Sequence, residues 1–135
     1  MNDFVGSAGG ARGRAGCGIE QFAHVIFFGI SMTIYTVSVK PSAALQRHRT
    51  EIRRIVECNS AANPCVFGSV VRGEDTEASD LDILVDAIEG KTTLISLARI
   101  QLAIEALIGV RVDVRTPPDL HERFRTEVLI ESKAV

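Results

Sequence analysis

Apolar residues recur at helical spacing in two long stretches of the chain. The first stretch predicts a helix over about Ser42–Ser60, and the Asn63-Pro64 pair that follows it is a strong helix breaker. The second stretch predicts a helix over about Thr92–Ile108, which Gly109 ends because glycine readily adopts the left-handed backbone of a helix C-terminus. Both helices have polar residues on their other sides, so each is expected to lie on the surface of a core.

Three shorter runs have the pattern of β-strands. Cys65–Phe67 is a continuous apolar run between a proline and a glycine, as expected of a buried strand. Apolar and polar residues alternate in Asp80–Asp86 and again in Val110–Arg115, which predicts two strands with one buried face each. The polar faces of these two strands carry the aspartates discussed below.

The remaining segments complete the order of elements. Val70–Arg72 is predicted to form one helical turn that ends at Gly73. Thr116 is a suitable cap for a last helix, whose apolar stripe consists of Leu120, Phe124 and Val128. The order helix, strand, short helix, strand, helix, strand, helix predicts an α+β (α/β-like) domain in which helices cover a small sheet.

The first 39 residues differ from the rest, so we predict an N-terminal extension over 1–39 and a folded domain over 40–135. Gly6–Gly18 is rich in Gly, Ala and Arg and can bury little apolar surface. Phe22–Val39 is apolar but is interrupted by polar residues and is shorter than the about 20 residues of a membrane span. We expect a disordered or loosely packed extension; an extra packed element and a membrane or export segment are the alternatives.

Composition restricts the class of protein. A chain of 135 residues has room for one domain, and its net charge of −2 argues against a general nucleic-acid binder, which would be basic. Its three cysteines form no CxxC pair, so neither a zinc site nor a disulfide framework is indicated. We therefore expect three reduced thiols in a cytoplasmic protein with no membrane association.

Asp80, Asp82 and Asp113 are the candidate catalytic and metal-binding residues. Residues two apart on a strand point to the same side, about 6.6 Å apart, so Asp80 and Asp82 would repel each other unless a cation lay between them. Hard ions such as Mg²⁺ prefer such oxygen ligands, and Asp113 on a neighbouring strand would complete the site. For an isolated Asp-x-Asp pair, protection of an exposed strand edge against aggregation is the more common explanation.

Gly68-Ser69 is a candidate phosphate-binding turn. It lies between a predicted buried strand and a helical turn, where backbone amides converge and small residues let an anion approach. The alternative is an ordinary tight turn. Arg72 is a further candidate nucleotide-binding residue, but it could equally be structural and pair with Asp75 or Asp86.

The segment Val66–Asp86 resembles the signature of the DNA polymerase beta-like nucleotidyltransferases. More narrowly, it is similar to the minimal nucleotidyltransferases of the MntA type. The shared pattern is Gly-Ser, then Arg-Gly, then Ser-Asp-x-Asp, and the resemblance extends from about Leu45 to the C-terminus, including Asp113. It implies the polymerase beta-like fold, with a small mixed β-sheet flanked by helices.

The resemblance also implies a role for each motif residue. Gly68 and Ser69 would hold the triphosphate of ATP through backbone and hydroxyl contacts. Asp80 and Asp82 would bind two Mg²⁺ ions, and Asp113 would bind the catalytic ion and help to activate the acceptor hydroxyl. The product would be a nucleotidylated acceptor and pyrophosphate.

The resemblance further implies an acceptor. Such minimal proteins are typically encoded beside a HEPN-domain ribonuclease toxin and act as antitoxins by transferring AMP to a tyrosine of that toxin. An antitoxin that only binds its partner, and an enzyme that modifies a small molecule, remain as alternatives. Arg111 and Arg115, on either side of Asp113, could assist triphosphate binding or could balance the acidic charge.

Overall fold

The computed structural model describes residues 38–135, so the predictions for the N-terminal extension lie almost wholly outside the described residues. The elements along the described chain are α1 (Pro41–Arg47), α2 (Arg49–Cys58), β1 (Ala61–Phe67), α3 (Ser69–Arg72), β2 (Leu81–Ala87), α4 (Leu94–Ile108), β3 (Val112–Arg115), a 3₁₀ turn (Pro117–Asp119), α5 (Glu122–Glu131) and β4 (Lys133–Ala134).

The four strands form one mixed sheet in the order β3-β2-β1-β4. Strand β1 is antiparallel to both β2 and β4, whereas β2 and β3 are parallel. The α+β class and the mixed sheet are therefore as predicted. Strand β4 was not predicted, because two residues are too few to show an alternating pattern.

The two faces of the sheet have different coverings. One face carries the main core, in which the inward residues of β2 (Leu81, Ile83 and Val85) pack with α1, α2 and α4. On the other face, Phe67 and Leu84 form a smaller cluster with Leu120, against which Val128 of α5 packs. Since side chains alternate along a strand, the second face is also the one that receives the polar residues of β2 and β3.

The first predicted helix is two helices in the structure. His48 separates α1 from α2 with φ −120° and ψ 21°, outside the helical region. Its backbone N–H still donates to the carbonyl oxygens of Ala44 and Leu45, and Ile52 N–H donates to His48, so the break interrupts few hydrogen bonds. The apolar spacing continues across it, which is why the sequence pattern did not reveal it.

Strand β1 begins at Ala61, four residues earlier than predicted. The pairing of β1 with β2 shifts between Ala62 and Cys65, and Asn63 adopts a positive φ of 48°. A bulge of this kind accommodates Pro64, which cannot donate a ladder hydrogen bond. The Asn63-Pro64 pair therefore lies inside the strand, and the prediction that it ends the helix is wrong, because the helix already ends at Cys58.

The glycine predictions agree with the structure, whereas Thr116 caps a separate 3₁₀ turn and the last helix is capped by His121. Gly73 and Gly109 end α3 and α4 in the left-handed conformation. Thr116 and Asp119 form reciprocal hydrogen bonds at the start of the 3₁₀ turn. The helix that follows, α5, has no buried residue of its own and Phe124 is 58% exposed, but the other two residues of the predicted apolar stripe, Leu120 and Val128, pack in the smaller cluster.

The cysteines differ from expectation at one position. Cys65 is a free thiol, as predicted, but Cys58 is disulfide-bonded. The prediction that all three cysteines are reduced is therefore wrong for Cys58, an exposed residue at the end of α2, while Cys17 lies outside the described residues.

Within residues 38–135, no helix is long and apolar enough to cross a membrane. The longest helix of this part of the chain, α4, has 15 residues, whereas a span needs about 20.

Truncation of a buried side chain of α4 should test the main core. Ile104 is fully buried and Leu102 is 63% exposed on the same helix. We expect Ile104→Ala to lower the free energy of unfolding by about 2–5 kcal/mol, through lost burial and the cavity that remains. Leu102→Ala should change it by less than about 0.5 kcal/mol. Urea denaturation of the two variants measures both values, and equal losses would contradict this assignment of the core.

Candidate functional site

The site is built on the parallel pair β2 and β3, whose register places Asp82 directly opposite Asp113. The residues beside them, Ile83, Val112 and Val114, are buried in the core on the other face. Because side chains alternate, both carboxylates are directed to the same open face of the sheet. Asp113 thus lies on a strand beside the acid pair, as the sequence predicts.

Strand β2 is an inner strand of the sheet, between β1 and β3. Edge protection, the common explanation of an isolated Asp-x-Asp pair, therefore does not account for Asp80 and Asp82. Their charge is placed where the sheet has no unpaired edge to protect, and this favours a function in binding.

Asp80 lies immediately before β2 and is held by Arg111. The Nε and Nη2 atoms of Arg111 donate to the two carboxylate oxygens of Asp80, each at 3.0 Å. The backbone next to this pair is also fixed, because Leu81 N–H donates to the Arg111 carbonyl oxygen at 2.8 Å. The result is a bidentate ion pair across the start of the two parallel strands.

Asp113 has an arginine partner as well. The Nε atom of Arg115 donates to Asp113 Oδ2 at 2.7 Å. Asp82, in contrast, forms no hydrogen bond or ion pair with any of residues 38–135, so two of the three acids are paired and the middle one is not. The sequence left open whether Arg111 and Arg115 balance the acids, and in the structure both do so.

Asp82 is the carboxylate whose electrostatic environment is least favourable for a negative charge. Partial burial raises its pKa, and the negative charges of Asp113 and Asp80 raise it further. Arg115 and Arg72 act in the opposite direction but do not cancel the increase. A bound cation would remove this penalty.

Gly68 joins β1 to α3 and touches the acid site. Its φ is +75°, a conformation that favours glycine, and a Cβ atom at this position would lie 2.5 Å from Asp82 Oδ2. The glycine is therefore required twice, for the turn and for the close approach of the Asp82 carboxylate. Ser69 follows as the first residue of α3, where backbone N–H groups have no acceptor within the helix.

Arg72 has partners other than those predicted. Its guanidinium donates to Glu74 at 3.0 Å and to Glu131 of α5 at 3.3 Å. Asp75 and Asp86, the two predicted partners, accept hydrogen bonds from other residues instead. The contact with Glu131 joins residues 59 positions apart, and no local pattern could have predicted it.

The donor set suits a hard divalent ion in kind, although its side chains are not gathered into a metal site. In the described part of the chain, no three His, Cys, Asp or Glu residues are grouped so as to hold a metal ion. Asp80, Asp82 and Asp113 nevertheless supply carboxylate oxygens on one face of the sheet, and partial burial together with the charges of Asp113 and Asp80 raises the pKa of Asp82. Asp80 and Asp113 are directed to arginines, so the three carboxylates do not point to one common position.

A comparison with protein families matches residues 45–135 to the nucleotidyltransferase domain. The matched region begins in α1 and contains all the residues of the site described above.

Individual relatives agree with this match. The chain is 38% identical to the protein adenylyltransferase MntA of Thermococcus cleftensis over 87 residues, which are 64% of this chain and 84% of the relative. It is 40% identical over 67 residues to a candidate protein adenylyltransferase of Methanocaldococcus jannaschii, covering 50% of this chain and 71% of that one. A solved structure described as a candidate minimal nucleotidyltransferase superposes with a TM-score of 0.63 and 41% identity, over 70% of this chain and 95% of the other.

A methyl group at position 68 should disturb the Asp82 carboxylate. Gly73 provides a matched control, since its φ of +72° is almost the same but a Cβ there would meet no atom within 4 Å. We expect both Gly68→Ala and Gly73→Ala to lower stability by about 1–2 kcal/mol, the cost of a left-handed alanine. Only Gly68→Ala should also shift the NMR titration of the Asp82 carboxyl, because only there does the methyl displace it. Equal NMR effects would contradict the proposed close approach.

Removal of the charge of Asp82 should stabilise the metal-free protein at neutral pH. Its folded-state pKa is raised above the ordinary value of 3.8, so the ionised carboxylate costs stability above the folded pKa, and this cost disappears as the pH falls below that ordinary value. Asp82→Asn should therefore unfold at a higher urea concentration than wild type at pH 7 in EDTA, and this difference should vanish at about pH 3. Asp86→Asn, at the exposed end of the same strand, is the control. A gain that persists in acid would contradict the electrostatic cause.

Proposed function

As the chain belongs to the nucleotidyltransferase domain family, we propose that it transfers AMP from ATP to a hydroxyl group of a partner protein. The acceptor that we propose is a tyrosine of a HEPN-type toxin, so that the chain acts as the antitoxin of a toxin-antitoxin pair in the cytoplasm.

The observation that carries the proposal is the register of β2 and β3. It places Asp82 opposite Asp113, with Asp80 two residues away on the same face. Three neighbouring carboxylates, of which Asp82 has no partner among residues 38–135 and has a raised pKa, destabilise a protein that binds no cation. It suits a reaction in which the negative charge of a triphosphate and of carboxylates is balanced by divalent ions.

Asp80 and Asp82 are the proposed ligands of two Mg²⁺ ions, and Asp113 is the proposed further ligand of one of them. Bound ions would supply charge neutralisation for the phosphate oxygens and the leaving group. The protein supplies the fixed spacing of the three carboxylates, which the β2–β3 ladder determines.

The triphosphate is proposed to bind at the turn between β1 and α3. Gly68 has no side chain to obstruct an anion, and Ser69 contributes a hydroxyl group and stands at the start of a helix. Arg72 adds positive charge near Asp82, and its bonds to Glu74 and Glu131 fix the position of its guanidinium.

At the α-phosphorus the reaction forms one bond and breaks one, and a proton is transferred. The acceptor oxygen attacks the α-phosphorus of ATP, and the bond from that phosphorus to the oxygen that bridges to the β-phosphorus breaks. Pyrophosphate leaves with the bonding electrons, and Asp113 takes up the proton of the acceptor hydroxyl. Positioning and charge stabilisation therefore provide most of the rate enhancement.

A protein acceptor is supported by the relatives and by the surface of α5. The relatives are named as protein adenylyltransferases. Helix α5 exposes Phe124, Leu129 and Ile130, and it is joined to Arg72 beside the site through Glu131. Exposed apolar residues grouped on one helix are typical of surfaces that bind other proteins.

Transfer of label from ATP tests the proposal. The purified protein, ATP labelled in the α-phosphate, Mg²⁺ and the HEPN-domain protein encoded beside it should yield labelled partner, and EDTA should prevent this. Asp80→Asn and Asp82→Asn should each lower the rate at least about a hundredfold, because charge stabilisation is lost. Asp86→Asn, which changes the same strand by the same chemistry, should retain the rate.

Other outcomes identify the alternatives. Label that appears only on a small molecule would show a different acceptor. Neutralisation of the toxin in cells by an Asp80→Asn, Asp82→Asn double variant that transfers no label would show an antitoxin that acts by binding.

A further inference from the structure

Positive and negative residues alternate along β3 and the residue that precedes it. Arg111, Asp113 and Arg115 are each two residues apart and so point to the same side of the strand. Arg111 crosses to Asp80 of the neighbouring strand, and Arg115 turns to Asp113. The two guanidinium groups thus occupy two of the three carboxylates that are proposed to bind metal.

We infer that Arg111 and Arg115 are exchangeable counter-ions that make the binding of metal and of nucleotide cooperative. They neutralise Asp80 and Asp113 while the site is empty, and they pass to phosphate oxygens when the triphosphate arrives with its cations. This inference rests on the proposed metal-dependent function and adds to it a role for two residues.

The ion pairs are exposed enough to exchange. The side chain of Arg111 is 82% exposed and that of Asp80 is 40% exposed, while Arg115 and Asp113 are 48% and 39% exposed. Pairs so open to water affect an equilibrium by only a factor of about two to five. They can therefore be displaced by a stronger ligand, whereas a buried pair would hold the carboxylates permanently.

Arginine is suited to both partners. Its planar guanidinium binds a carboxylate through two parallel hydrogen bonds, as Arg111 does with Asp80, and it binds phosphate oxygens with the same geometry. A guanidinium released from its aspartate would face a triphosphate bound over the same open face. The energy lost in one pair is then recovered in the other.

The unpaired Asp82 determines the order of events. It has no counter-ion to displace, so a cation can meet its carboxylate first, but a single carboxylate holds a divalent ion weakly. Full coordination needs Asp80 and Asp113, and their release is more favourable when a phosphate is present to receive the arginines. By thermodynamic linkage, nucleotide must then tighten metal binding by the same factor by which metal tightens nucleotide binding.

Binding of Mn²⁺, followed by electron paramagnetic resonance of the free ion, tests the inference without any turnover. In the absence of nucleotide, Arg111→Gln should tighten Mn²⁺ binding about two- to five-fold beyond the change caused by Arg72→Gln. Arg72 is the matched control here, because its charge also acts on Asp82 although it pairs with neither Asp80 nor Asp113. Arg115→Gln should behave like Arg111→Gln through its release of Asp113.

A non-hydrolysable ATP analogue provides the second arm. After subtraction of the Mn²⁺ that the analogue binds without protein, the analogue should tighten Mn²⁺ binding to wild type strongly. The ratio of the Mn²⁺ affinities with and without the analogue should fall at least about five-fold in Arg111→Gln, since the guanidinium that would receive phosphate is gone. Arg99→Gln, an exposed arginine of α4 on the helix layer of the other face, should keep the wild-type ratio. Urea denaturation verifies that each variant is folded.

The results separate this inference from the proposed function. Suppose that wild type binds Mn²⁺ cooperatively with the analogue. If Arg111→Gln then binds Mn²⁺ like Arg72→Gln without nucleotide, or keeps the wild-type effect of the analogue, the counter-ion role is wrong and the metal-dependent function stands. If wild type binds no Mn²⁺ even with the analogue, both are wrong. Cooperative binding that depends on Arg111, without transfer to a protein, would contradict only the proposed acceptor.

Discussion

The mutual repulsion of Asp80, Asp82 and Asp113 is the constraint on which the rest of the structure depends. The parallel register of β2 and β3 fixes Asp82 opposite Asp113, so the charges cannot move apart without loss of the ladder. The surrounding residues respond to this repulsion: two arginines take two of the acids, Gly68 gives the third room, and Arg72 adds positive charge nearby. The stability of the main core allows the sheet to carry this cost.

One face of the sheet forms the main core, and the other face carries the proposed site. The helix-covered face buries Ile83, Val85 and Ile104 completely, and it supplies most of the apolar burial that favours folding. Among residues 38–135, the other face has the small cluster of Phe67, Leu84 and Leu120, and it leaves the acids partly exposed to solvent. An open face is necessary for a substrate to enter, so the uneven covering follows from the function that we propose.

The sequence predicted most of this arrangement because its informative residues act locally. Alternation located Asp82 and Asp113 on strands, and glycine chemistry located the turns at Gly68 and Gly109, each from a few neighbouring residues. The break at His48 left no trace in the apolar spacing, and the strand through Pro64 depends on a bulge that only the partner strand defines. The pairing of strands that are far apart in sequence, like the Arg72–Glu131 contact, is a property of tertiary structure.

Helix α5 differs from the other long helices because it has no buried residue, and its link to Arg72 is a solvent-exposed ion pair. Little free energy then opposes its local opening, so its amide hydrogens can exchange with solvent while the sheet remains intact. Such a segment has conformational entropy to lose when it is covered. A macromolecule that binds there would order the helix and, through Glu131, would restrict the guanidinium beside the turn for which we propose phosphate binding.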